Sequence, residues 1–374
     1  MYLFTQRRIK VMASLDQIKS AIKKIVSKDF GKKAPPSILI MGPPGRGKTL
    51  TTEEIAKDLG AEYKVFMTAT MDPTDVVGCP QPVGNVTRFL PPEDLYSLTV
   101  ESGNTWPAVV CFDDMPAAND QVFAALFRLF QQREVGVFKL RNNVLIIATG
   151  NNATDKSAAK ELPLALANRC IRFDIDAVKT DEWLAWALQN GVTSEIYGFI
   201  STNPDQLDQF ERAKTGTETS FATPRSVTIA SRIQEIMGLE DPNLFIALRG
   251  ACGEGWAVAF KGYLKNHAML IPPKEILDNP LTARIPAKEQ IDITFATIAA
   301  LVYEVNRTKK VEHAKAAIVY ANRLVHKEHT TQICRVIVSE IGGKDKGILN
   351  ILSDQSIRDI FQKNHEYLTI PYSL

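Results

Sequence analysis

The chain has 374 residues, enough for two or three domains of about 150 residues each. Hydrophobic residues make up 45% and charged residues 23% of it, a composition that is ordinary for globular proteins and excludes a disordered chain. The longest apolar runs, such as residues 144–148, are too short to cross a bilayer, and the charges of residues 7 and 8 follow an apolar start, the reverse of a signal peptide. We therefore expect a cytoplasmic protein that contacts no membrane.

Charge is unevenly distributed along this nearly neutral chain. The whole chain has 44 Lys and Arg residues against 42 Asp and Glu residues, a net charge of +2. Residues 1–33 contain nine basic and two acidic residues, a net charge of +7, so the rest of the chain carries −5. Such a basic segment could contact nucleic acid or an acidic partner, or it could be a solvated helix face.

The cysteines predict free thiols in a reducing compartment. They are far apart, odd in number and include no C-x-x-C pair, which argues against a disulfide framework and against a zinc site. The five positions are Cys79, Cys111, Cys170, Cys252 and Cys334.

The first predicted element is a basic amphipathic helix. Residues 14–17 have the form of a capping box, in which a serine and a glutamine bond reciprocally to the start of a helix. Ile18, Ile22 and Ile25 then follow at helical spacing. The pattern predicts a helix that ends near Lys28.

From residue 37 the sequence alternates between strand and helix patterns. The predicted strands are 38–41, 63–68, 108–112, 144–149 and 170–175, and the clearest predicted helices between them are 48–59 and 120–132. Short apolar strands of this kind are buried on both faces of a parallel sheet, with helices as crossover connections. We therefore predict an α/β fold, a three-layer αβα core with a five-stranded parallel sheet.

The rest of the sequence reads as helical. The predicted helices are 181–190, 205–213, 224–237, 244–263, 291–306, 311–326, 331–341 and 353–364, with a proline-rich boundary at 272–280. The sequence therefore predicts four regions. They are a basic N-terminal region (1–33), the αβα core (34–176), a first helical region (177–273) and a helical C-terminal extension (274–374).

One motif carries phosphate chemistry. It consists of Gly42, Pro43, Pro44, Gly45, Arg46, Gly47, Lys48 and Thr49, followed by Leu50 in the predicted helix. The segment fits G-x-x-x-x-G-K-S/T and lies between a predicted strand and a predicted helix. Its glycines let backbone N–H groups surround a phosphate, and the helix N-terminus adds partial positive charge. Lys48 would reach the β- and γ-phosphates and the Thr49 hydroxyl would bind Mg²⁺, which predicts a nucleotide site.

An acidic pair follows the strand predicted at 108–112. Asp113 is the expected partner for Mg²⁺, and Asp114 is placed to orient and deprotonate an attacking water. The same two aspartates could also cap the next helix, and that role does not exclude the catalytic one.

These motifs, in this order, resemble the AAA+ ATPases, and most of all the MoxR group, over about residues 37–273. By resemblance, Asn151 is the sensor-1 residue that holds the attacking water or the γ-phosphate. Arg169 matches the arginine finger that enters the site of the next subunit, although Arg172 lies close enough to take that role. Arg225 matches the sensor-2 arginine of the helical lid, which is the first helical region. A guanidinium suits both tasks because it is permanently charged and binds phosphate oxygens in a fork.

Further segments support this resemblance, and one residue departs from it. Residues 75–89 resemble the insert in the second helix of MoxR-like proteins, which we expect to be a hairpin facing the ring. Residues 134–143 occupy the position of the hairpin before sensor 1. Asp114 stands where the family usually has glutamate, which is one methylene longer.

The resemblance implies a homo-oligomeric ring, expected to be a hexamer, that binds Mg·ATP between its subunits and hydrolyses it. It also implies a protein partner with a von Willebrand factor A domain, which the ring would remodel or load with metal. Two alternatives remain open. One is an AAA+ protein that acts on DNA, as a helicase or a clamp loader does, and the other is a nucleotide-binding scaffold that hydrolyses slowly because of Asp114.

Overall fold

The computed structural model describes residues 12–27, 30–152, 155, 160, 168–175, 177–216, 219–267, 270–324, 351 and 353–363. The chain divides into two compact units, Met1–Lys179 (unit 1) and Thr180–Leu374 (unit 2). The four regions proposed from the sequence stay a prediction. Among the described residues, no helix is both long enough and apolar enough to span a membrane.

In the described part of unit 1, six parallel strands form one sheet. In chain order, the strands of this unit are β1 (Met12–Ala13), β2 (Ser37–Met41), β3 (Glu62–Met67), β4 (Cys79–Val83), β5 (Val86–Leu90), β6 (Ala108–Asp113), β7 (Glu134–Val135), β8 (Phe138–Lys139), β9 (Val144–Gly150) and β10 (Cys170–Ile175). The large sheet has the order β1-β10-β2-β9-β6-β3.

The five-stranded parallel sheet predicted from the sequence is confirmed, and the structure adds β1 to it. Met12 and Ala13 pair in parallel with Asp174 and Ile175 of β10, so the sheet continues by one short strand. The sequence pattern missed this strand because two residues are too few to show an alternation of apolar and polar side chains.

Helices cover both faces of the sheet, which confirms the three-layer architecture. The helices of unit 1 are α1 (Leu15–Ser27), α2 (Lys48–Asp58), α3 (Pro73–Val77), α4 (Glu93–Tyr96) and α5 (Asp120–Gln132). Alternate strand residues face opposite layers. Ile38 and Ile40 of β2 pack in one cluster with α1 and α2, whereas Leu39 packs in another with α5.

Helix α1 begins with the predicted capping box. The main-chain N–H of Ser14 donates to the Gln17 side chain at 3.1 Å, and the N–H of Gln17 donates to Ser14 Oγ at 3.3 Å. Ile18 and Ile22 are fully buried, but Ile25 is 39% exposed and Val26 takes its place in the core. A four-residue step from Ile22 keeps the apolar face aligned here.

Hairpins occupy both segments that resemble MoxR features. Strands β4 and β5 pair antiparallel, from Cys79 with Leu90 to Val83 with Val86, and every residue of both strands is exposed. Strands β7 and β8 form a second, shorter antiparallel hairpin just before β9. The expected hairpin in the insert is therefore present, and it carries exposed apolar side chains.

The described part of unit 2 is helical. Its helices are α6 (Thr180–Gln189), α7 (Ser194–Thr202), α8 (Phe210–Thr215), α9 (Pro224–Met237), α10 (Leu244–Cys252), α11 (Glu254–His267), α12 (Pro273–Asp278), α13 (Ile291–Thr308), α14 (Val311–Asn322) and α15 (Gln355–Lys363). Helix α13 packs against α7, so the part of the chain beyond residue 280 contacts the part before it.

Two sequence predictions for unit 2 need correction, and one helix was missed. The helix predicted at 205–213 is a short 3₁₀ turn, Pro204–Gln206, followed by α8. The helix predicted at 244–263 is divided into α10 and α11 at Gly253, whose φ of 91° no continuous helix adopts. Helix α7 was not predicted at all. The helix predicted at 331–341 lies outside the described residues.

Candidate functional site

The phosphate-binding motif forms a tight turn between β2 and α2. Gly45 and Gly47 have φ values of 77° and 81°, in the left-handed region that favours glycine. Gly47 is also the N-cap of α2 and has no side chain to bond the first turn of the helix. Because the first N–H groups of a helix have no partner within it, this end of α2 suits an anion.

The remaining residues of the motif line the same turn. Pro43 and Arg46 are buried, Pro44 is half-buried, and Leu50 in the first turn of α2 is 42% exposed. The N–H of Gly42 donates to the carbonyl of Gly150 at the end of β9, at 3.1 Å. The start of the turn is thereby tied to the neighbouring strand.

Lys48 joins the loop after β2 to the loop after β9. Its Nζ donates to the carbonyl oxygens of Gly42 and Pro43 and to Oδ1 of Asn151, each at 2.8 Å. The side chain is buried, and its carbonyl partners belong to the turn itself. The ammonium group is therefore held at the centre of the motif.

Threonines from separate elements hold Asp113. The carboxylate oxygen Oδ1 accepts hydrogen bonds from Oγ1 of Thr49, at 2.8 Å, and from Oγ1 of Thr149 in β9. The main-chain carbonyl of Asp113 accepts from Oγ1 of Thr68, at 2.9 Å. The side chain of Asp113 is thus fixed directly beside the motif threonine.

Asp114 has left-handed backbone geometry, with φ 54° and ψ 40°. Aspartate tolerates this region better than most residues do, and such geometry is often found at functional sites. Its N–H donates to Oγ1 of Thr149 at 3.3 Å, and its Oδ1 accepts from the side-chain amide of Asn151 at 3.2 Å. Asn151 therefore links Asp114 to Lys48 through the two ends of one amide.

Close packing between Gly150 and Pro116 sets the position of Asn151. A Cβ atom on Gly150 would lie 2.5 Å from Pro116 Cγ and 3.3 Å from Met41 Sδ. The turn after Asp114 therefore contacts the end of β9 directly, and only glycine permits this distance.

A buried polar group lies beneath the first turn of α2. The Tyr63 hydroxyl and Thr52 Oγ1 are 2.7 Å apart, and Thr52 Oγ1 donates to the carbonyl of Thr49 at 2.7 Å. Burial raises the pKa of Tyr63 well above its usual range and that of the nearby Cys111 to about 12. Both groups stay neutral at physiological pH, so Cys111 is not a reactive thiolate.

The arginines 169 and 172 have different surroundings. Arg169 is exposed just before β10, with its guanidinium carbon 5.4 Å from the centre of the Phe127 ring. Arg172 lies within β10, where Nη2 is 2.8 Å from Oδ1 of Asp174 and 3.4 Å from Oδ1 of Asn152. Contacts with Asp174 and Asn152 therefore engage Arg172 within its own chain.

Arg225 belongs to unit 2, whereas the residues described above belong to unit 1. It is exposed at the second position of α9. A capping box holds this helix start, because the Thr223 N–H donates to Ser226 Oγ at 2.8 Å and the Ser226 N–H donates to Thr223 Oγ1 at 3.2 Å. The backbone that carries Arg225 is thereby fixed.

Part of the basic N-terminal segment is engaged within unit 1. Lys19 Nζ is 3.0 Å from Glu54 and 3.7 Å from Asp58, and Lys23 Nζ is 3.0 Å from Asp58. These lysines of α1 pair with acidic residues of α2. The interpretation as a solvated, paired helix face accounts for them without nucleic acid.

The structure brings together Lys48, Thr49, Asp113, Asp114 and Asn151, and it adds threonines to which the sequence assigned no role. Thr68 and Thr149 are fully buried and bond to the two aspartates. A polar residue at the end of an otherwise apolar strand is a signal that could have identified Thr149. Among the described residues, no group of three or more His, Cys, Asp or Glu side chains could hold a metal ion by itself.

Comparison with known proteins gives one family match. Residues 37–170 match the model for the AAA domain (dynein-related subfamily). Comparison with curated proteins gave no significant match. The family match spans the phosphate-binding motif, Asp113, Asp114, Asn151 and Arg169.

Several solved structures are similar to this chain at low identity. A candidate ATPase from Cytophaga hutchinsonii is 17% identical, over 63% of this chain and 77% of that chain, with a TM-score of 0.33. Two RuvB mutants from Thermotoga maritima are 14% and 13% identical, over 72% of this chain and 79% and 78% of theirs, with TM-scores of 0.36 and 0.37. The family match is therefore the finding of these comparisons that bears on the site: residues 37–170 of this chain are similar to the AAA domain (dynein-related subfamily).

Proposed function

We propose that this chain binds Mg·ATP and hydrolyses it to ADP and phosphate. The observation that supports this proposal most directly is the continuous hydrogen-bonded cluster at the carboxyl edge of the sheet. In it, Thr49 contacts Asp113, and Asn151 contacts both Lys48 and Asp114. The phosphate-binding motif, the acidic pair and the polar end of β9 are thus brought to one place from distant parts of the sequence.

The residues beside the motif have the donor atoms that Mg²⁺ requires. Thr49 Oγ1 and Asp113 Oδ1 are 2.8 Å apart, and Mg²⁺ takes oxygen ligands of this kind, one or two from the protein together with phosphate and water. When bound, Mg²⁺ would neutralise negative charge on the β- and γ-phosphate oxygens. Thr49 and Asp113 would hold it, and the N–H groups at the start of α2 would bind the phosphates.

We propose a task for each remaining residue of the cluster. Lys48 would exchange its carbonyl and amide partners for phosphate oxygens when ATP binds. Asp114 would orient and deprotonate the attacking water, and Asn151 would hold that water or the γ-phosphate with its amide. Because the Asp114 side chain is one methylene shorter than glutamate, we expect turnover to be slow.

We further propose that the active form is a MoxR-like ring, a hexamer, with ATP between subunits. Arg169 would serve as the finger in the neighbouring site and Arg225 as the sensor in its own subunit. The exposed position of Arg169 supports this role. Arg225 lies where a positive charge is unfavourable by about 0.3–1 kcal/mol, because a helix N-terminus favours anions, and contact with phosphate would remove that penalty.

The client is proposed as a protein that carries a von Willebrand factor A domain, remodelled or loaded with metal by the ring. This part of the proposal rests on the resemblance to the MoxR group. Action on DNA, as in a helicase or clamp loader, gains no support from Lys19 and Lys23, since both are paired within the chain. Hydrolysis that rises with added DNA and declines steeply with salt would favour DNA instead.

Steady-state phosphate release from ATP tests the enzymatic proposal. We expect Lys48→Ala to abolish turnover and Asp114→Asn to lower kcat by about 10²- to 10⁴-fold, the usual contribution of a general base. Lys57→Ala, an exposed lysine at the other end of α2, is the matched control and should turn over like wild type. Equal rates for Lys48→Ala, Asp114→Asn and wild type would refute the proposal.

Particle imaging with and without a non-hydrolysable ATP analogue tests the ring. Six-fold rings that form with nucleotide would support it. A strict monomer under both conditions would leave Arg169 without its proposed role.

A further inference from the structure

The Thr149 hydroxyl contacts both members of the acidic pair. Its Oγ1 donates to Oδ1 of Asp113 and accepts from the main-chain N–H of Asp114 at 3.3 Å. A hydroxyl has one donor and two acceptor positions, so both bonds form at once. Thr149 is fully buried, which keeps water from competing for either bond.

The sheet register explains why this contact forms. Strands β6 and β9 are parallel neighbours, and Phe112 pairs with Ala148. Asp113 and Thr149 are the next residues along their strands, so they lie side by side at the carboxyl edge. Thr149 is a polar residue at a buried position in a strand whose preceding residues, 144–148, are all apolar.

Packing alone does not require a hydroxyl at this position. Valine has the same branched shape and is also favoured in strands, so it would fill the same space. What valine lacks is the donor that fixes the Asp113 carboxylate and the acceptor for the Asp114 N–H. Loss of that acceptor would weaken the left-handed turn that directs the Asp114 side chain towards Asn151.

We propose that Thr149 is a positioning residue for ATP hydrolysis: its hydroxyl holds the Mg²⁺-binding aspartate, Asp113, and the water-activating aspartate, Asp114, in fixed relation to each other. The inference rests on the function proposed above and deepens it. Because Thr149 acts through the two carboxylates, its loss should affect the chemical step and the Mg²⁺ requirement more than it affects the binding of ATP.

The test compares wild type with Thr149→Val, which removes the hydroxyl, and Thr149→Ser, which keeps it. Steady-state hydrolysis is measured against ATP and, separately, against Mg²⁺. We expect Thr149→Val to lower kcat or raise the Mg²⁺ half-saturation by about 10- to 100-fold, the usual effect of removing a group that orients a metal ligand. KM for ATP should change little, and Thr149→Ser should keep most of the wild-type kcat.

Thr99→Val is the matched control for loss of a buried hydroxyl. Thr99 is also fully buried, and its Oγ1 donates to the carbonyl of Tyr96 at 2.8 Å, outside the cluster. Melting temperatures of all variants show whether each is folded. If Thr149→Val does not fold, Thr149→Ala takes its place.

Each outcome separates the inference from the function on which it rests. If the wild type hydrolyses ATP and Thr149→Val has the same kcat and the same Mg²⁺ dependence, the inference is overturned but the proposed function is not. An equal loss in Thr149→Ser or in Thr99→Val would also overturn it, because the hydroxyl at this position would not be the cause. Failure of the wild type itself to hydrolyse ATP would refute the proposed function and this inference with it.

Discussion

Replacing Gly150 with alanine tests the packing that positions the candidate site. A Cβ atom at this residue would lie 2.5 Å from Pro116 Cγ and 3.3 Å from Met41 Sδ. Real Cβ atoms do not approach a ring carbon this closely, so either the end of β9 or the turn at Pro116 must move. Because Asp114 precedes that turn and Asn151 follows Gly150, either movement separates the two side chains.

The expected effect on stability follows from overpacking. An added methyl group in a well-packed interior costs about 1–3 kcal/mol. For a unit of this size, about 2 kcal/mol corresponds to a decrease of about 4–8 °C in melting temperature. Misplacement of a catalytic group by about 1 Å can cost about 100-fold in rate, so kcat should fall much further than the loss of stability alone implies.

Urea unfolding and steady-state hydrolysis together measure both effects in Gly150→Ala. The matched control is Gly250→Ala. Gly250 is exposed in helix α10, and nothing lies within 4 Å of its added Cβ. Because alanine is the better helix former, the control should stabilise the protein by up to about 1 kcal/mol and leave kcat unchanged. A Gly150→Ala protein with wild-type stability and wild-type kcat would contradict the contact between β9 and Pro116.

Three further predictions concern subunit contacts, thiols and charge. Lys48→Ala and Arg169→Ala chains should each be inactive alone but recover part of the ATPase activity when they are mixed. The reason is that a mixed ring contains sites with both an intact motif and an intact arginine finger. No recovery at any mixing ratio would contradict action of Arg169 in a neighbouring subunit. A thiol reagent at pH 8 should modify the exposed Cys79 and leave Cys111 unmodified in the native protein, because burial raises the Cys111 pKa to about 12. Mass spectrometry of peptides would identify the modified residue. Asp58→Asn should lower the free energy of unfolding by less than about 1 kcal/mol at pH 7. The hydrogen bond from Lys23 lowers the pKa of Asp58, so its stabilising effect is present above the unfolded-state pKa and is lost as pH falls through the folded-state pKa. Urea titrations should show a smaller difference at pH 3 than at pH 7, and an equal difference at both would contradict this assignment.

The sequence was sufficient to predict the sheet and the phosphate-binding motif because both are local patterns. Ile38 to Met41 is apolar on both faces and is followed at once by the glycine turn, and the structure buries all of β2. The acidic pair could be recognised because it ends a strand of the same kind. In each case, a few consecutive residues carry the whole signal.

The contacts of Thr149 depend on which strands are neighbours, and that could not be read from local sequence. Asp113 and Thr149 are 36 residues apart, and they meet because β6 and β9 pair with one particular register. A shift of one residue would direct the Thr149 side chain to the opposite face of the sheet. The hydroxyl therefore acquires its role only once the sheet has formed.

The sequence predictions for unit 2 were wrong for physical reasons that helix propensity does not capture. Residues 205–209 have helical composition, but the Asp208 carboxylate accepts from the N–H of Phe210 at 3.1 Å and so favours a turn over a longer helix. Helix α7 contains aromatic, β-branched and glycine residues that form helices poorly by themselves. Its Ile196, Phe199 and Ile200 are buried, so tertiary packing stabilises it.

The short strand β1 has a practical consequence for shortened versions of this protein. In parallel pairing, Met12 and Ala13 cover the outer side of β10 at Asp174 and Ile175. A version of the chain that starts at Ser14 would leave the main-chain N–H and C=O groups of β10 that face β1 unpaired at the edge of the sheet. Open edges are templates for pairing with another chain, so such a truncation would favour aggregation even though it removes no residue of the nucleotide cluster.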